Sequence, residues 1–139
     1  MLELHGWLTI QETFGDEDLL SPEKAEAIRQ RVKEIVESNT SGIRMQYANG
    51  TAFLNTLFCA NHRTAEVDEI IETYQSIAKA ATGSYGVIYL RDDEDEQYHN
   101  AFQMYIFKRG QCIFKADTNL SPCIPTIEDD VSWHKPHRM

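Results

Sequence analysis

The sequence lacks the features that would span a membrane, build a disulfide framework or hold duplex nucleic acid. No apolar run in its 139 residues exceeds a few positions, far short of the ~20 a transmembrane helix needs. Cysteine is scarce and odd in number: Cys59, Cys112 and Cys123, with no C-x-x-C spacing. That argues against disulfide staples and a structural zinc site. Cys59 and Cys112 lie in apolar runs and read as small buried hydrophobes. Positive charge is also short, with 13 Lys and Arg against 22 Asp and Glu and a net charge of −9. Nucleic acid and anionic membranes both require a basic footprint, so neither is an expected partner. A basic protein or a cationic ligand fits better, although solubility alone accounts for the same excess. The opening residues from Met1 to Trp7 have no basic stretch followed by an apolar one, so no export signal is read and the cytoplasm is the expected compartment.

What is present is ordinary for a globular chain: 42% hydrophobic and 25% charged residues. The length suits one domain over 1–139. Leu2 to Phe14 alternates as a strand, with Trp7 as a large aromatic on the nominally polar face. Ser21-Pro22 reads as N-cap and first helical residue, and Ala25, Ile28, Val32, Ile35 and Val36 follow at helical spacing to about Ser38. Ile43 to Tyr47 and Thr51 to Ala60 flank Asn49-Gly50, a strong hairpin signal. The second of these strands is apolar on both faces, which suggests an inner position. Thr64 caps a second predicted helix running to about Ala81, with Gly83 as its stop. Gly86 to Arg91 is then a short strand.

The order β-α-β-β-α-β predicts an α+β, ferredoxin-like antiparallel sheet with two helices on one face. A strand from His99 to Lys108, a turn at Arg109-Gly110 and a return to Lys115 add a C-terminal β-hairpin. Asp117 to Met139 carries three of the four prolines yet keeps Leu120, Ile124, Ile127, Val131 and Trp133. It reads as an irregular strap, packed against the Trp7 face.

Few constellations suggest chemistry. His134-Lys135-Pro136-His137 holds an H-x-x-H, but the proline argues against a helical metal site, and the tail reads as solvated. The five histidines (His5, His62, His99, His134, His137) are scattered, so an acid–base pair of the kind a nuclease uses is not set by spacing. Gly83-Ser84-Tyr85-Gly86 lacks the Lys of a phosphate loop and leads into a strand. The acidic clusters do stand out. Asp16, Glu17 and Asp18; Asp92, Asp93, Glu94, Asp95 and Glu96; and Glu128, Asp129 and Asp130 hold half of the acids. Such runs are solvated loops or docking surfaces for a basic partner. The calcium spacing of an EF-hand is absent, so no metal or cofactor is expected.

Four segments carry a resemblance. His5-Gly6-Trp7 in the first strand, Gly83-Ser84-Tyr85-Gly86 before the fourth, Asp92-Asp93-Glu94 after it, and Leu120 to Asp129 with its Ser-Pro-Cys-Ile-Pro core are similar to the immunity protein 7 family of bacterial polymorphic toxin systems. The resemblance implies a non-enzymatic protein, monomer or homodimer, that binds the C-terminal toxin domain of a secreted effector in the cytoplasm. Such toxins are frequently nucleases and often basic. The acidic clusters are then the expected partner-binding residues, with Trp7, Tyr98 and Trp133 as candidate anchors; each reads equally as a core residue, and for Trp7 the core reading is preferred. Two other classes stay open: a small-molecule-binding regulatory domain, and a small hydrolase using the histidines.

Overall fold

A computed structural model describes residues 1–15, 19–39 and 42–128. The elements run β1 (Leu2–Ile10), α1 (Pro22–Glu37), β2 (Ile43–Ala48), β3 (Thr51–Ala60), α2 (Ala65–Ala80), β4 (Tyr85–Asp92), β5 (Gln103–Lys108) and β6 (Gln111–Ala116). Local chemistry explains most boundaries. The Ser21 hydroxyl accepts from the Lys24 N–H ahead of Pro22, leaving one fewer orphan donor at the helix start. Asn49 and Gly50, and later Arg109 and Gly110, adopt the positive φ their hairpin turns require.

All pairings are antiparallel, in one sheet of order β2-β3-β1-β4-β5-β6. This differs from the expected four-stranded ferredoxin-like sheet with a hairpin appended. The β5–β6 hairpin bonds along β4 and widens the sheet to six strands. An unpaired β4 would otherwise expose its backbone groups at an edge.

Register divides the side chains cleanly. Leu2, Leu4, Leu8 and Ile10 of β1, Leu54 of β3, Ile88 and Leu90 of β4 and Phe107 of β5 are buried in one cluster with Val32 and Ile35 of α1 and the apolar stripe of α2. Both helices therefore cover the same side. Trp7 lies on the opposite side and is 45% exposed, which overturns its core reading.

Several expectations change for non-local reasons. β1 stops at Ile10, short of Phe14, because the Gln11 N–H turns to the Ser84 hydroxyl. β5 starts at Gln103, later than His99, because the Asp95 carboxylate accepts from the Gln97 and Tyr98 N–H groups and holds a turn there. Thr64 stands at the α2 N-cap position without a side-chain hydrogen bond. Gly83 is not a left-handed helix stop; a Cβ there would lie 2.2 Å from the Thr13 carbonyl oxygen. Cys59 is exposed, since it falls on the uncovered side of β3, while Cys112 packs partly against the core.

Tyr74 is the largest fully buried side chain. Its ring packs against Phe107 at 5.6 Å, and its hydroxyl lies 2.7 Å from that of Thr56. Gly6 makes the space for it: a Cβ there would sit 2.8 Å from the Tyr74 oxygen. Burial pushes the phenol up to about 12, with the Thr56 hydrogen bond opposing. A folded-state value above the ordinary ~10 means the contribution is complete below pH ~10 and is lost as pH rises toward 12. We expect denaturant unfolding to show a loss on the order of 3 kcal/mol over that window. Tyr74→Phe should remove this extra alkaline slope while lowering stability near neutrality by about 1 kcal/mol, for the lost hydrogen bond.

Candidate functional site

The acidic turn after β4 is less uniform than its sequence. Asp92 is buried, and its carboxylate accepts from the Glu94 N–H. Asp95 shapes the following turn as described above. Asp93 pairs with the Met1 ammonium, which holds its carboxyl below the usual carboxylate range. Glu94 pairs with Nδ1 of His62. Glu96 is exposed and has no ion pair among the described residues. Oxygens of Asp92, Asp93 and Glu94 come within 4.8 Å of one another, a crowding eased by the Met1 ammonium. The outward-facing charge is thus that of Asp93, Glu94 and Glu96, while Asp92 and Asp95 build the turn.

Glu128 accepts from the Ser121 N–H at 2.6 Å, a bond that lowers its carboxyl. With the Ser121 hydroxyl accepting from Ile127 at 3.0 Å, it folds the strap back on itself. As far as Glu128, the last described residue, the strap does not cover Trp7. It is fastened at the other end of the sheet, where Asn100 accepts from the Cys123 and Ile124 N–H groups and Cys123 donates to the His99 carbonyl. Tyr98 is half-buried, edge-on to Phe114 at 5.5 Å. Asp16, Glu17, Asp18, Asp129, Asp130, Trp133, His134 and His137 lie outside the described residues.

The three described histidines do not assemble. His5 faces Glu3 at 3.3 Å, His62 faces Glu94, and His99 serves through its backbone carbonyl. The cleft beside Arg29, between α1 and the β2–β3 hairpin, measures about 260 Å³. Arg29 is already held there by Glu12 and Glu26, and larger depressions of about 620 and 460 Å³ lie beside Trp7.

The sequence reading gave the side of the sheet away from the helices to the strap and did not identify the residues that line it. There Trp7 stands among Leu57 of β3, Tyr85 and Tyr89 of β4 and Arg44 of β2. The signal was the double apolar character of Thr51 to Ala60, which marks an apolar open face as readily as a covered one.

An acidic turn beside an open aromatic sheet face defines a class: a small α+β domain organised for contact with another macromolecule. The chain belongs to the Immunity protein 7 family, whose profile matches residues 1–129. No curated protein and no solved structure matches it. The motifs that carried the resemblance prove to be largely fold-forming. Gly6 accommodates Tyr74, Gly83 and Gly86 admit backbone contacts, and Ser121 and Cys123 fasten the strap. Among the described residues no helix is long and apolar enough to cross a membrane.

Proposed function

We propose that this immunity protein acts as one domain in the cytoplasm, binding the C-terminal domain of a cognate toxin and blocking its active or substrate-binding surface. The observation that carries the reading is the family match over residues 1–129. The net charge of −9 supports a basic toxin, and a nuclease is the toxin class that most needs basic surface. Asp93, Glu94, Glu96 and the acids at 16–18 and 129–130 are the steering charges in this reading. Tyr98 borders them. Neutralisation works by binding alone, with no cofactor and no chemistry on any substrate.

The test is protection. The gene immediately upstream is expected to encode a secreted protein, and the C-terminal domain of that protein is expressed in a bacterium with and without this chain. Growth should be restored when both are present, and the two should co-purify. Continued killing at matched expression, with no complex recovered, would refute the reading.

A further inference from the structure

The uncovered side of the sheet differs from the rest of the surface in two respects. It is apolar where a solvated sheet face would be polar. Leu57 is 64% exposed, Tyr85 46%, and Trp7 nearly as much, although all sit on the inner strands β3, β4 and β1. Register makes them one patch: Trp7 lies between Asn55 and Val87, Leu57 lies opposite His5, and the Trp7 and Tyr85 rings meet edge to face at 6.3 Å. Shallow depressions flank Trp7, one reaching Leu57 and Arg44, the other Phe53 and Gln46.

The second respect is charge. On a chain of net −9, the strand positions of this side carry a single acid, Glu3; Arg91 lies 3.7 Å from it and also meets Cys123 of the strap. Arg44, Lys108 and Lys115 face the same way, and none of them has an ion pair among the described residues. The other described acids lie on the helices, in the loops and at the end of β4. The nearest acidic turn begins where Asp92 pairs with Leu2, five residues from the Trp7 position and so about 17 Å along the strand.

We infer that this face is the contact centre for the toxin domain, with the turn at 93–96 as its acidic rim. The inference rests on the immunity reading and commits it to one surface. An aromatic and arginine-bearing centre depleted of acids, bounded by charge, is the composition of a protein-binding hot spot. The complementary toxin surface carries apolar side chains for the depressions, a carboxylate or carbonyl for Arg44 and basic groups for the rim. A second copy stacked centre to centre fits poorly, because it sets Arg44, Lys108 and Lys115 of each face against the other's with only the paired Glu3 between them. Single-stranded nucleic acid would stack on the rings, but the rim repels its phosphates.

The experiment measures binding of the upstream-encoded toxin domain to the full chain, Leu57→Lys and Trp7→Ala, with melting temperature and sedimentation of each. Both variants should weaken binding on the order of 100-fold, chiefly through faster dissociation, with melting and monomer mass unchanged. Wild-type affinity in both variants overturns the inference and leaves the immunity reading standing; absence of wild-type binding removes both. A wild-type dimer that the variants dissociate assigns the face to a second copy. A fall in melting in both variants with binding intact assigns it to this chain's own cover. Wild-type capture of a single-stranded oligonucleotide, lost in the variants, assigns it to nucleic acid. Each of these three results also overturns the inference.

Discussion

Gly86→Ala should be among the most damaging single-methyl additions in the molecule. The added Cβ would lie 2.1 Å from the Trp7 carbonyl oxygen and 2.7 Å from the Leu8 Cα. Both are backbone atoms, so no side-chain rotation relieves the clash. Gly86 is also paired on both sides, with Leu8 of β1 and Phe107 of β5. Separating β1 from β4 disturbs the centre of the sheet and the Leu8 packing beneath it. Overpacking of a compliant core costs about 1–3 kcal/mol; here, with backbone on the far side, we expect at least the upper end. That is a large part of the ~5–15 kcal/mol by which domains are stable. The control is Gly50→Ala, at a turn with φ +77° and nothing within 4 Å of the new methyl, expected to lose only about 1 kcal/mol. Urea midpoints of the two variants test the contrast, and equal shifts would contradict it.

The same pair shows why some of the fold was legible in the sequence and some was not. Asn49-Gly50 announces a hairpin because the conformational demand falls on those two residues alone. Ser21-Pro22 announces a helix start for the same reason. Gly6, Gly83 and Gly86 are glycines because of residues 68, 70 and 79 positions away (Tyr74, Thr13 and Trp7), and no local pattern records that. The edge addition of β5–β6 is likewise a property of the assembled sheet. At the candidate site, composition revealed the acids but not their division of labour: Asp92 and Asp95 differ from Asp93 in the backbone N–H groups they meet, not in residue type. Trp7 was ambiguous because alternation placed it outward while its size argued inward. The missing fact was that the described part of the strap is fastened at His99 and Asn100, away from Trp7.

Charge reversal confined to the outward acids separates the two parts of the proposed interface. Asp93→Lys, Glu94→Lys and Glu96→Lys together move the net charge from −9 to −3, each substitution adding two positive units. The ion pairs lost, to the Met1 ammonium and to His62, are solvent-exposed and of a kind that contributes little to stability. Keeping Asp92 and Asp95 preserves the turn, so melting should stay close to that of the parent chain. Against a basic toxin domain, association at low ionic strength should slow by about ten- to a hundred-fold, and its salt dependence should flatten. Dissociation should change far less, because rim charges steer encounter while a desolvated centre sets residence time. The Leu57→Lys variant should show the reverse pattern. Stopped-flow association at two salt concentrations distinguishes them, and an unchanged association rate in the triple variant would remove the turn at 93–96 from the steering role.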